Sequence, residues 1–383
     1  MLNLQRKNYF EIIFFLLIII LIFFRSPCFF LEGSLKTDDY DIYNSSISND
    51  FFENLFYIFP GYGTINFSSN IYISAISLFS IESAKLVSSY TIVSIYFLIV
   101  LFTYYSNSIF LKNYKQKIFA IFVIIFSPSM TPEIWMAGTH LRSYFGILSF
   151  ILLFQNHKGQ SNFFNNTSNF LVFFSGISSI YASALTPAYF LRFYFNKNKQ
   201  NFYRFLFALI AMLMQLYVVI DNIDTSLSVN RFQVELGTFY SYLYNVPVRS
   251  FFGSTIPKML FVNTEIYTLK KFNIFLLISS FTLFIVGSYY LIKKKDEILF
   301  LILLSLIGVS GLIIIGTLEP GFVGGRYAVI PGIIYIFLIL RLFEIEKYFF
   351  LKVIFAILLL TSASIGFVEY KYLSPLPDSL KCL

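Results

Sequence analysis

Residues 6–33 read RKNYFEIIFFLLIIILIFFRSPCFFLEG. Two basic residues, Arg6 and Lys7, precede an apolar run from Phe10 to Phe24. A cleaved leader would end in small residues, whereas Cys28, Phe29 and Phe30 follow this run. The run therefore reads as a retained first membrane span with its N-terminus in the cytoplasm. The next segment has the opposite character. From Glu32 to Asn70 the chain is polar, carries Asp38, Asp39 and Asp41, and includes the turn Pro60-Gly61-Tyr62-Gly63. An apolar span followed by an acidic loop is the alternation on which the rest of the chain is read.

Composition agrees with that start. Of 383 residues, 57% are hydrophobic and 13% charged, against about 25% charged in a typical soluble domain. The class is an all-α polytopic membrane protein. The 50 Phe and 28 Tyr accompany abundant Ile, Asn and Lys, as AT-rich codons would produce, and are read as lipid-facing drift. The formal charge of +8 points to basic cytoplasmic loops, not to nucleic acid. Cys28 and Cys382 are too few for a disulfide framework, and two His without a Cys cluster argue against zinc.

A helical span needs roughly 17–25 apolar residues. Beyond the first, spans are expected near 86–108, 117–131, 140–156, 204–221, 272–292, 298–316, 327–342 and 350–368. The stretch 168–196 is too short for two full spans and too long for one. Gly176 and the run from Ala182 to Pro187 interrupt it, so it reads as two short helices in an up-and-down hairpin. About eleven segments follow, in a single transmembrane domain over 1–383. With this parity sixteen basic and five acidic residues lie inside, and twelve basic and fifteen acidic outside. The extracytoplasmic side then holds loops 32–85, with interfacial helices, and 222–271, and turns at 128–140 and 317–327. No P-loop or GxGxxG occurs, which argues against a nucleotide-driven pump and a cytosolic nucleotide-sugar enzyme.

Three outer stretches carry chemistry. In the first, Glu32 sits where the first span ends, beside Gly33 and near Arg25. Desolvation at that depth would raise its basicity, which makes it the first choice of base. Asp38 and Asp39 come second: adjacent residues on a helix diverge by about 100°, so both cannot easily serve one site. Asp41, Asp50 and Glu53 read as solvated loop acids. The second stretch places Glu133, Trp135, His140 and Arg142 within ten residues at a tight turn. Ionisable groups at a span end are costly unless paired or functional, and His140 and Arg142 suit phosphate oxygens. The third is Gly324-Gly325-Arg326-Tyr327, where Arg326 presents a planar fork to phosphate, or snorkels to lipid headgroups.

Taken together, these motifs resemble the bacterial GT-C type of polytopic glycosyltransferase. The likeness lies in Arg25-Ser26-Pro27 followed by Glu32-Gly33, in Gly61-Tyr62 with Asn70, in Pro132-Glu133-Ile134-Trp135, in Leu185-Thr186-Pro187 and in Arg326-Tyr327. It spans most of the chain through order and spacing, since each motif is short. One departure is that relatives often have two adjacent acids at the first position, where this chain has Glu32-Gly33. The resemblance implies transfer of a sugar from a polyprenyl-phosphate donor to a lipid-linked or cell-surface glycan acceptor. That transfer would occur at the outer face of the bacterial inner membrane, usually with inversion. Glu32, or Asp38 or Asp39, would be the base. His140, Arg142 and Arg326, with Tyr327, would hold the phosphate, and Glu133 would orient the acceptor or a metal. No organic cofactor is implied, and relatives differ over a divalent cation. Rival readings are an O-antigen-type polymerase, using Arg231 and Arg249, and a transporter or flippase of a lipid-linked glycan. Nearly charge-free spans and the lack of matching halves weigh against transport, with Gln215 and the 182–187 break as the exceptions.

Overall fold

The structure, a computed structural model, describes residues 2–25, 27–33, 35, 37–57, 63–128, 137–221, 241–253, 285–316 and 325–372. Its regular elements among these residues are all helices, apart from one isolated bridge between Ser108 and Gln155. Helix α1 (Leu2–Arg25) is followed by three short helices of the first loop, α2 (Pro27–Leu31), α3 (Thr37–Ser46) and α4 (Phe51–Phe56). Then come α5 (Phe67–Ile76), α6 (Ile81–Tyr105) and α7 (Tyr114–Phe126), a 3-10 turn at Gly138–His140, and α8 (Leu141–Leu153). The remaining labelled helices are α9 (Asn162–Ser178), α10 (Ile180–Ser183), α11 (Thr186–Phe195) and α12 (Lys199–Asp221). The chain continues through helices Arg249–Phe252, 285–294, Glu297–Gly316, Val329–Ile345 and Phe349–Tyr372.

Several of these helices are long and apolar enough to cross a membrane, which makes this a multi-pass membrane protein. Among the described residues they number four: Ile81–Tyr105, Lys199–Asp221, Glu297–Ile315 and Phe349–Val368. A fifth is added if the bent pair Asn162–Ser178 and Ile180–Phe195 is one span. Among the described residues the expectation of about eleven is corrected to four or five by length and hydropathy; most of the span expected near 272–292 lies outside them. The reason is geometric. Helices α7 and α8 have 13 residues each, about 20 Å at 1.5 Å per residue, against a hydrocarbon core of about 30 Å. Apolarity around the whole circumference marks α8 and Val329–Ile345 as interior elements, and both are buried along almost their entire length. Helix α1 differs: it buries the stripe Phe14, Ile18 and Ile22 and exposes Ile12, Leu16 and Ile19, and its apolar part, Glu11–Phe24, is also short.

The broken segment expected over 168–196 is present. Its two halves meet at 118°. Ser179 is extended there, and its Oγ accepts from the Ala182 N–H. Ser183 Oγ donates to the Gly176 carbonyl at 3.0 Å, and Thr186 Oγ1 to the carbonyls of Ser183 and Ala208. Hydroxyls thus satisfy backbone groups that a break inside an apolar bundle would orphan.

Within the loop expected over 32–85, helix α5 buries Ser68, Ser69, Asn70, Tyr72, Ile73, Ser74 and Ile76, packed against α6, α8, α9 and the 3-10 turn. Of the loop expected over 222–271, only residues 241–253 are described. They pack on Val329–Ile345 and Phe349–Tyr372, and Ser362 Oγ donates to the Ser250 carbonyl at 2.6 Å.

Candidate functional site

The site is built on the turn at Gly138–Thr139. Asp39, on α3, is fully buried. Its Oδ1 accepts from the Thr139 N–H at 2.7 Å and its Oδ2 from the Gly138 N–H at 3.1 Å. Donation from two backbone N–H groups favours the charged carboxylate and fixes its orientation. The carbonyl side of the same turn is held by α5. Ser69 Oγ donates to the Gly138 and Thr139 carbonyls at 3.0 and 3.2 Å, and Asn66 Nδ2 donates to the Thr139 carbonyl at 3.3 Å.

Tyr72 closes this arrangement. Its hydroxyl pairs with Ser88 Oγ of α6 at 2.6 Å and also hydrogen-bonds Asp39. Burial, and then the negative charge of Asp39, push the phenol well above its ordinary value, so Tyr72 stays a neutral donor. Its ring lies against the Gly138 backbone. A Cβ at Gly138 would fall 2.0 Å from the Tyr72 Cε1, so only glycine fits under the ring.

Helix α5 is itself anchored from the bundle. Gln215 of α12 grips the residue ahead of Asn66: its Oε1 accepts from the Ile65 N–H at 3.0 Å, and its Nε2 donates to the Ile65 carbonyl at 2.9 Å. The same Nε2 donates to the carbonyls of Gly176 and Ile177 at the end of α9. One polar side chain in an apolar span therefore ties the first loop to two long helices.

The sequence-predicted residues separate accordingly. Asp39 joins the turn that carries His140 and Arg142: His140 is buried in it, and Arg142 is half-buried at the start of α8. Glu32 does not join them. It is exposed on the turn after α2. Gly33, at φ +70°, packs against the Lys85 and Leu86 backbone and holds Glu32 beside the start of α6. Asp38 lies on α3 with Asp39, and Arg326 lies in the 3-10 turn Gly325–Ala328, but both side chains fall outside the described residues. Glu133 and Trp135 lie outside them entirely, as does Arg231. Tyr327 is half-buried, in a turn that packs on Tyr244–Val248. Among the described residues no three His, Cys, Asp or Glu side chains gather as metal ligands. Sequence reasoning missed Tyr72, Ser69, Thr139 and Gly138. The signals were the polar run Ser68-Ser69-Asn70 inside an apolar helix, and a glycine directly before His140 and Arg142 in the turn.

A second polar cluster lies toward the other end of α12. Arg204 is about 16 Å along the helix from Gln215, fully buried. It donates to Asn169 Oδ1, to the carbonyls of Leu152 and Gln155, and to Gln155 Oε1. Nearby, His157 sets each ring nitrogen against an asparagine side chain, Asn165 and Asn201. Burial, with the Arg204 charge, lowers the imidazole to about 4, so it is neutral at pH 7. Arg192 pairs with Glu297, and Arg341 with Asp296 and Glu344. These pairings offset much of the cost of holding charges in a bundle, although Arg192 Nε and Gln155 Nε2 are buried without a hydrogen-bond partner among the described residues.

No protein-family model, curated protein or solved structure matches this chain.

Proposed function

We propose that this protein is a membrane glycosyltransferase. It moves a sugar from a polyprenyl-phosphate donor to a lipid-linked or surface glycan acceptor, at the bundle end that holds Asp39. The observation that supports this reading is that the first-loop acid and the second polar turn form one unit. Asp39 is bonded to Gly138 and Thr139, immediately ahead of His140 and Arg142. Inverting transfer requires one carboxylate near the acceptor and cations near the leaving phosphate. Asp39 accepts the proton of the acceptor hydroxyl as that oxygen bonds the anomeric carbon. The bond from that carbon to the phosphate oxygen breaks, and its electron pair leaves on the phosphate, held by His140 and Arg142. With two backbone N–H groups and the Tyr72 hydroxyl bonded to it, the Asp39 carboxylate keeps one lone pair for this purpose. That this end lies outside the bacterial inner membrane is part of the proposal.

The test is transfer of radiolabelled sugar from a polyprenyl-phosphate donor in membranes that contain the protein. Asp39→Asn is expected to reduce transfer by about 10²–10⁴-fold, the usual worth of a positioned base, while Glu32→Gln leaves most of it. Wild-type rates from Asp39→Asn would sink the assignment. A carrier of lipid-linked glycan is the second reading, favoured by the 118° break between α9 and α11, since broken helices line transport sites. Movement of labelled lipid across vesicles without a new glycosidic bond would favour it.

A further inference from the structure

The hydrogen bonds of the Gly138–Thr139 turn leave one group over. Both N–H groups go to Asp39. The Thr139 carbonyl accepts from Ser69 and Asn66, and the Gly138 carbonyl from Ser69 and the Leu141 N–H. Thr139 Oγ1 has no hydrogen-bond partner among the described residues, and Thr139 is only 1% exposed. A buried hydroxyl in that state is unfavourable, and a valine of the same shape would avoid the penalty. Packing alone therefore favours Val at a position that holds Thr, and the Thr is bonded through its own backbone to the buried acid.

We infer that Thr139 is a substrate-binding residue whose hydroxyl hydrogen-bonds a hydroxyl of the sugar or glycan that Asp39 serves. This rests on the transferase reading. The class of ligand follows from the chemistry of the pair. A neutral hydroxyl, able to donate and accept, sits beside a carboxylate that only accepts, a combination that matches a polyol and not a second phosphate. The Thr139 hydroxyl is a binding contact and takes no proton in the reaction.

The experiment compares Thr139→Val and Thr139→Ser with wild type in the sugar-transfer assay, alongside thermal unfolding of each purified protein. Thr139→Val is expected to lower kcat/KM by about tenfold or more, because a site built to bond a hydroxyl loses that bond. It should unfold at the same temperature as wild type or higher, since it removes an unpaired polar group. Thr139→Ser keeps the hydroxyl and should retain most of the transfer. Wild-type transfer by Thr139→Val would overturn the inference and leave the transferase reading standing. So would a lowered unfolding temperature in Thr139→Val, which would make the hydroxyl structural. If the wild-type protein transfers no sugar from any polyprenyl-phosphate donor, the reading fails and the inference fails with it.

Discussion

Replacing Gly138 with alanine tests the site at its tightest point. The added Cβ would lie 2.0, 2.1 and 2.6 Å from the Cε1, Cζ and Cδ1 atoms of Tyr72. Ordinary van der Waals contact begins at 3.4 Å, so the ring must retreat by about 1.4 Å. It cannot do so without dragging its hydroxyl from Ser88 Oγ, 2.6 Å away, and from Asp39. Overpacking of this kind costs about 1–3 kcal/mol. Loosening a buried hydroxyl from its partners adds about 1–3 kcal/mol. Gly138→Ala is therefore expected to destabilise the fold by about 2–6 kcal/mol. The assay is denaturant-induced unfolding in mixed micelles, followed by tyrosine fluorescence. Gly311→Ala is the control. Gly311 lies in the helix Glu297–Gly316, and a Cβ there meets nothing within 4 Å. The same substitution should leave stability unchanged there, or raise it by up to about 1 kcal/mol through helix propensity. A Gly138→Ala protein within about 0.5 kcal/mol of wild type, the scatter of neutral surface changes, would refute the claim that the turn is clamped beneath Tyr72.

Two further outcomes are expected. Gln215→Leu removes the side chain that pairs with both backbone groups of Ile65. It should cost about 2–4 kcal/mol and speed hydrogen exchange of the Ile65 amide; unchanged exchange would remove Gln215 as the anchor of α5. His157 predicts a pH dependence. Its folded value, about 4, lies below its ordinary 6.5, so the folded protein prefers the neutral ring. Its contribution is complete above pH 6.5 and is lost as pH falls toward 4, because the unfolded chain takes up the proton first. Unfolding midpoints measured across that window should fall in wild type by more than in His157→Gln; parallel profiles would count against the burial of His157.

Much of the candidate site was legible in the sequence, but not its centre. The argument that Asp38 and Asp39 diverge on a helix is consistent with α3 placing Asp39 on the turn. The polar turn at 138–142 was marked by His140 and Arg142. Glu32 ranked first because the end of a span implies desolvation. The structure places it on the turn after α2, with Gly33 docked on α6, and brings Asp39 to the Gly138–Thr139 turn instead. Gln215 stood out as a polar residue in a span, yet its partner, Ile65, is 150 residues away.

The sequence by itself determined what depends on composition and local pattern. An apolar, charge-poor chain makes membrane helices, and the small residues around Gly176 and Pro187 break one of them where the structure bends by 118°. Tertiary structure decided what depends on meetings between distant residues. Asp39 and Thr139 are 100 positions apart, and nothing local to either says that one will accept the other's N–H. It also decided which apolar helices are enclosed by others. A 13-residue apolar run reads alike whether lipid or protein surrounds it, and only packing shows that α8 is enclosed by other helices.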